Sequence, residues 1–216
     1  MQQGLRRPAW VPLLFVIAAV ALFTGLGAWQ VERLRWKQQL VSRMETAESL
    51  PALGSLPETA QDWAAAEYRG AVLTGEFIGN TSLRYVGHRA DGWVLYAPFR
   101  LEDSDQVILV NRGWQAAANS NLAPPQGIVT VRGYLRQPKS KRLFSPPNHV
   151  DGNLWFTEDL GAMGRALHAP LAPMVLDTGD RPRPRNDHLG YAIMWFSLAI
   201  VAVGMYWAYQ RKERAG

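Results

Sequence analysis

Two long runs without a charged residue, one near each end of the chain, limit what this sequence can fold into. Residues 8–31 read PAWVPLLFVIAAVALFTGLGAWQV, and residues 189–210 read LGYAIMWFSLAIVAVGMYWAYQ. A bilayer core of about 30 Å takes about 20 helical residues to cross, so either run is long enough. Trp10 and Trp29 stand near the ends of the first run; Tyr191, Trp195, Tyr206, Trp207 and Tyr209 mark the ends of the second. Amphipathic rings of this kind prefer the membrane interface. Pro12 falls in the first helical turn, where a missing N–H costs little. Arg6 and Arg7 before the first run also fit a secretory signal, with Gly25 and Gly27 as a mimic of a cleavage site. The apolar run exceeds the roughly 7–15 residues of a signal's core, so a retained anchor is expected.

The expected organisation is a short N-terminus (1–7), a transmembrane helix (8–31), a β domain with a helical extension (32–188), a second transmembrane helix (189–210) and a short C-terminus (211–216). Two spans put both termini on one side. Arg6, Arg7, Arg211, Lys212 and Arg214 lie on that side; Arg33, Arg35, Lys37, Arg181, Arg183 and Arg185 lie on the other. The counts nearly tie, and charge does not orient the chain. The early start of the first span suits a bacterial inner-membrane protein.

A net charge of +5 raises the question of nucleic acid. From Gln38 to Asp180 the chain carries 12 Lys/Arg and 15 Asp/Glu, whereas the rest carries 11 and 3. The basicity sits beside the apolar runs, where it meets lipid headgroups. No basic stripe with interleaved aromatics occurs in the middle, and nucleic acid is not an expected partner.

Between the runs, Val31, Leu34, Leu40, Val41 and Met44 recur at helical spacing, so the first helix continues as a rod until LPALGSLP breaks it. A short helix is expected at Ala60 to Ala66. YRGAVLTGEFI, SLRYVGHR, WVLYAPFRL, QVILVNRGW and IVTVRGYLR then read as strands, with glycines at bulges and turns at ADG, EDSD and PPQG. NLWFTEDLGAMGRAL passes from strand to helix, and APMVLDT is a last strand. The fold class is a membrane protein of α+β type: two transmembrane helices flanking an antiparallel β barrel or sandwich.

The domain shows no positive sign of catalysis. No G-x-S-x-G elbow, glycine-rich phosphate loop or H-E-x-x-H occurs. There is no cysteine, which excludes thiolate and iron–sulfur chemistry. His88, His149, His168 and His188 are scattered, and Ser145 near His149 reads as part of a proline-rich loop. Asp103 and Asp105 suit a turn better than a calcium loop. In LVNRGW, Arg112 is open to two readings. A carboxylate clamps it while Gly113 bends the strand and Trp114 caps the barrel; or Arg112 and Trp114 bind a partner, where both residue types are enriched.

RPRPRNDH, before the second run, is an extended segment whose arginines fan out. His188 ends it, beside Asn186 and Asp187. One reading makes it an interfacial helix cap. The other makes it an axial ligand for a haem lying in the bilayer, with Arg181, Arg183 and Arg185 near the propionates and Asp187 or a carbonyl orienting the ring.

GAWQVERLRWK, YRGAVLTGEF, LVNRGW, LWFTEDLGAM and NDHLGYAIMWFSLA occur in this order along the chain. Together they resemble the surfeit-locus (Surf1/Shy1) family of cytochrome c oxidase assembly factors. The resemblance implies a non-enzymatic role in building aa3-type haem–copper oxidases, at the step where haem a enters the catalytic subunit. It implies haem a as cargo, His188 as its iron ligand, and termini in the cytoplasm with the domain in the periplasm. The implied partners are the oxidase catalytic subunit, haem a synthase and membrane lipids. Gly27, Trp29, Gln30 and Arg33 match the family's pattern after the first span, and Asn111 to Trp114 match its Asn-Arg-Gly-Trp; of these, Trp29, Gln30, Arg33, Arg112 and Trp114 are read as partner-binding. Asp187 stands where many relatives have asparagine. The alternative role is a haem-independent scaffold that stabilises the catalytic subunit, with close helix packing at Thr24, Gly25, Gly27, Ser197 and Gly204.

Overall fold

The computed structural model describes residues 10–87, 91–119, 121–139, 141, 143–182 and 184–215. Arg6, Arg7, His88 and Arg183 lie outside them. In chain order the elements are α1 (Trp10–Ser49), α2 (Ala60–Ala65), β1 (Gly70–Phe77), β2 (Leu83–Tyr85), β3 (Gly92–Leu101), β4 (Val107–Ala116), β5 (Ile128–Arg136), β6 (Leu154–Trp155), α3 (Leu160–Leu167), β7 (Leu171–Asp177) and α4 (His188–Ala215). They form two units: a helical one, Met1–Ser42 with Arg183–Gly216, and a β unit, Arg43–Pro182.

The helical unit contains two helices long and apolar enough to cross a membrane. Their side chains point outward: Phe15 is 76% exposed and Ile200 73%. An apolar surface this extensive is stable only when lipid or protein covers it. The two helices meet in antiparallel order. Phe23 stacks on Trp195 with ring centroids 5.8 Å apart. A Cβ at Gly27 would come within 2.7 Å of the Phe196 ring, so the ring packs against this glycine and would have to shift for any larger residue.

The β unit is a barrel. Its strand order is β1-β5-β7-β4-β3-β2-β6, and β1 also pairs with β3, closing a ring of five strands. The long β3 makes closure possible: its last residues pair with β1, while residues 94–96 pair with β2. Closure removes the open edges of β1. Gly75 lies at the junction, where a Cβ would sit 2.0 Å from the Arg100 carbonyl oxygen. Its role is thus close backbone approach, and the β1–β5 register runs unbroken through it, without the expected bulge.

Alternation divides the buried residues between two layers. Leu73, Phe99, Ile108, Val110, Leu135, Met174 and Leu176 fill the barrel with Trp63 of α2. Leu109, Tyr96, Trp155 and Val175 pack with Met163 of α3 in a second layer. Thr59 caps α2 and Asp159 caps α3, each accepting a hydrogen bond from a first-turn N–H. His168 ends α3 in a left-handed conformation.

The sheet is mixed: β4–β7 and β2–β6 are parallel, and the other pairings are antiparallel. The purely antiparallel expectation fails at these two places for a physical reason. Residues 107–110 of β4 and 174–176 of β7 are buried and apolar, so both strands carry continuous apolar runs. Such runs are the mark of a strand covered on two faces, the setting in which parallel pairs occur. The second layer, α3 included, provides that cover.

Candidate functional site

His188 is the first residue of α4, at the polar-to-apolar boundary of that helix. Its Nδ1–H donates to the Gln30 side-chain oxygen at 2.7 Å, joining residues 158 positions apart. Gln30 is 9% exposed, one turn beyond Gly27, against which the Phe196 ring packs. A proton held on Nδ1 leaves Nε2 with a free lone pair, and such a hydrogen bond both fixes ring orientation and raises ligand basicity. The orienting group is therefore Gln30, rather than Asp187 or a backbone carbonyl. Among the described residues, no group of three His, Asp or Glu gathers to hold a bare metal ion.

The arginines predicted beside His188 differ in their engagement. Within the β unit, Arg181 pairs with Glu48 at 2.9 Å and lies over the Tyr134 ring at 5.9 Å. Arg185 is exposed and makes no ion pair among the described residues. Of the residues read as partner-binding after the first span, Trp29 is 51% exposed and Arg33 lies over the Trp36 ring at 5.1 Å, while Gln30 faces inward.

Asn-Arg-Gly-Trp forms a β-bulge. Val94 pairs with Trp114 and Tyr96 with Asn111, so Leu95 alone faces both Arg112 and Gly113. Gly113 takes φ +89°, a conformation that L side chains avoid, and its N–H donates to the Asn111 side-chain oxygen at 2.8 Å. Trp114 lies over the Gly92 backbone. Arg112 reaches past β3 to donate to the Ser82 hydroxyl at 2.7 Å and the Leu122 carbonyl at 3.3 Å. No carboxylate clamps it, contrary to the structural reading of the motif.

Sequence reasoning missed one cluster altogether. Arg136 pairs with Glu158 at 2.6 Å and with Asp177 at 2.7 Å. It also donates to the Tyr96 hydroxyl at 3.0 Å, and Tyr96 donates in turn to Glu158 at 2.5 Å. All four residues are less than 9% exposed. Burial pushes the Glu158 carboxyl up, but the bonds from Arg136, Tyr96 and the Lys139 backbone hold it below the usual carboxylate range. Burial likewise opposes the Arg136 charge, yet its two carboxylate partners keep that guanidinium firmly protonated. Burial and the nearby Glu158 push the Tyr96 phenol up. Each charge is satisfied within the cluster, which suits a structural role.

Residues 17–200 match the model of the SURF1 family, a stretch that takes in most of α1, the whole barrel and the first turns of α4. The chain belongs to the SURF1 family. It is 31% identical to a SURF1-like protein of Monosiga brevicollis, over 93% of this chain and 88% of the relative. A SURF1-like protein of Rickettsia conorii is 28% identical over 93% of this chain and 91% of its own. Surfeit locus protein 1 of Rattus norvegicus is 28% identical over 85% of this chain and 71% of its own. Gln30, Arg112 and His188 all fall within the family match.

Proposed function

We propose that this chain is an assembly factor for an aa3-type haem–copper cytochrome c oxidase, and that it holds haem a through His188 and passes it to the catalytic subunit. Family membership supports the assembly role. The observation that carries the cargo is the Gln30–His188 bond, which presents one oriented imidazole nitrogen at the edge of the apolar helix pair.

A lone imidazole holds a bare ion poorly, since structural zinc wants four protein ligands. Haem brings four nitrogen donors and needs only an axial one. Single-point ligation also leaves the cargo displaceable, as a delivery role requires. A groove of about 670 Å³ within the helical unit is lined by Val16, Ile17, Val20, Ala21, Thr24, Gly25, Ala28, Val203 and Tyr206. Its apolar walls suit the greasy tail of haem a. Arg185, in the same unit as His188, is exposed and suits a propionate.

In this reading the protein is non-enzymatic and lies in a bacterial inner membrane with both termini cytoplasmic and the barrel periplasmic. Its neighbours are the oxidase catalytic subunit, haem a synthase and lipids. The test is to purify the chain from cells that make haem a. The expected result is a Soret band that His188→Ala abolishes while circular dichroism stays unchanged. Co-purification of the oxidase subunit with no haem in the wild-type chain would favour the scaffold role instead.

A further inference from the structure

Arg112 occupies an unusual position for a cation. It is half-buried, and burial lowers its pKa with no nearby carboxylate to offset the effect. All Asp and Glu residues of the chain lie among the described residues, and none pairs with it. A guanidinium removed from water gains from a charged partner, and neutral acceptors replace one only in part.

The geometry around it is built. Ser82 is fully buried, and its hydroxyl takes one hydrogen bond from Nη1; the Leu122 carbonyl takes a second from the same nitrogen. These two contacts fix the guanidinium plane, while Nε and Nη2 have no acceptor among the described residues. That edge presents two parallel N–H groups, the fork that matches the two oxygens of a carboxylate. The bulge at Gly113 sets the aim of the side chain.

Neighbouring residues add a second cation rather than an anion. Arg84 pairs in register with Leu95, which faces Arg112 across the bulge. Arg84 is itself fixed, donating to the Gly152 and Asn153 carbonyls and lying 5.0 Å over the Trp93 ring. Its charge adds to the local positive potential in a region of the chain whose net charge is near −3.

We propose that Arg112, held by Ser82 and Leu122, is a carboxylate-recognition site on the barrel, and that its ligand is an acidic side chain of a partner polypeptide. Partly exposed Trp93 and Trp114 beside an oriented arginine favour a protein ligand, since Trp and Arg dominate the energetic centres of protein interfaces. The site is independent of the haem reading.

The test uses the full chain in nanodiscs with arginine labelled at ¹⁵Nε, the Arg112 resonance being assigned from Arg112→Lys. The probes are acetyl-Gly-Glu-Gly-amide, its Gln counterpart, sodium acetate and sodium phosphate, at matched ionic strength. The Glu peptide should shift the Arg112 resonance saturably and leave Arg136 unmoved. It should bind at least severalfold more tightly than acetate, and Ser82→Ala should weaken it severalfold. The Gln peptide should have no effect. An Arg112 resonance that ignores the Glu peptide, or responds equally to Glu and Gln, would overturn the site. Tighter binding of phosphate than of the Glu peptide would overturn the carboxylate assignment, and acetate binding as tightly as the peptide would overturn the polypeptide source. The wild-type titration decides the matter even if a variant fails to fold.

Discussion

The buried core of the barrel and the helix pair handle polar groups in opposite ways. In the barrel core, Arg136 has both its carboxylates and Tyr96 within hydrogen-bonding distance, so the cluster needs nothing from outside. In the helix pair, His188 has one nitrogen satisfied by Gln30 and the other without a partner among the described residues, on a unit whose apolar surface also faces outward. A group that the fold completes contributes to stability. A group that the fold orients but leaves incomplete is where a ligand adds most. The difference separates structural from functional polarity without any appeal to residue type.

The sharpest way to break this contrast is to remove Arg136. Arg136→Met strands two buried carboxylates, and loss of one partner of a buried pair costs about 3–5 kcal/mol. Urea unfolding followed by tryptophan fluorescence should show that loss. The fraction still folded should load haem like the wild type; a haem defect there would join the two regions that the contrast keeps apart.

Gly27→Leu should do the reverse. The new side chain collides with Phe196, parts the helices and separates Gln30 from His188. Haem a affinity should fall at least about tenfold, as loss of an orienting partner does. The barrel's unfolding midpoint should not move. Gln30→Leu should cost about tenfold in affinity by the same loss. Gln30→Glu, which keeps an acceptor and adds charge, should retain binding and lower the haem reduction potential.

Smaller effects follow from pH. Glu158 titrates below its ordinary 4.5, so its stabilisation is complete above that pH and is lost as pH falls through the folded-state value. Burial, with Asp177 nearby, pushes Tyr134 up to about 12. Its neutral form is the favoured one in the fold, so this contribution is full below pH 10 and is lost as pH rises from 10 towards 12. Melting temperatures between pH 3 and 12 should fall at both ends; a flat acid limb would show that the Glu158 cluster carries little of the barrel's stability.

Much of the architecture was legible because it depends on local pattern. Length and lack of charge marked both long helices, and alternation marked β1, β3 and β5. The parallel placement of β7 was not legible, because an apolar run buried on both faces carries no direction. Gln30 and His188 were each singled out, but 158 residues separate them and no spacing rule joins them. Arg136, Glu158 and Asp177 sit near the ends of elements, where charged residues ordinarily face water. Only barrel closure turns them inward. For Arg112, the motif left a carboxylate clamp and a partner-binding role both open, and the fold brings no clamp.

Near-infrared magnetic circular dichroism of the chain loaded with haem a identifies the axial ligand directly. The expected spectrum is that of histidine ligation. It should vanish in His188→Ala and return when free imidazole is added. A histidine-ligated spectrum in His188→Ala without imidazole would contradict the assignment of His188 as the residue that holds the cargo.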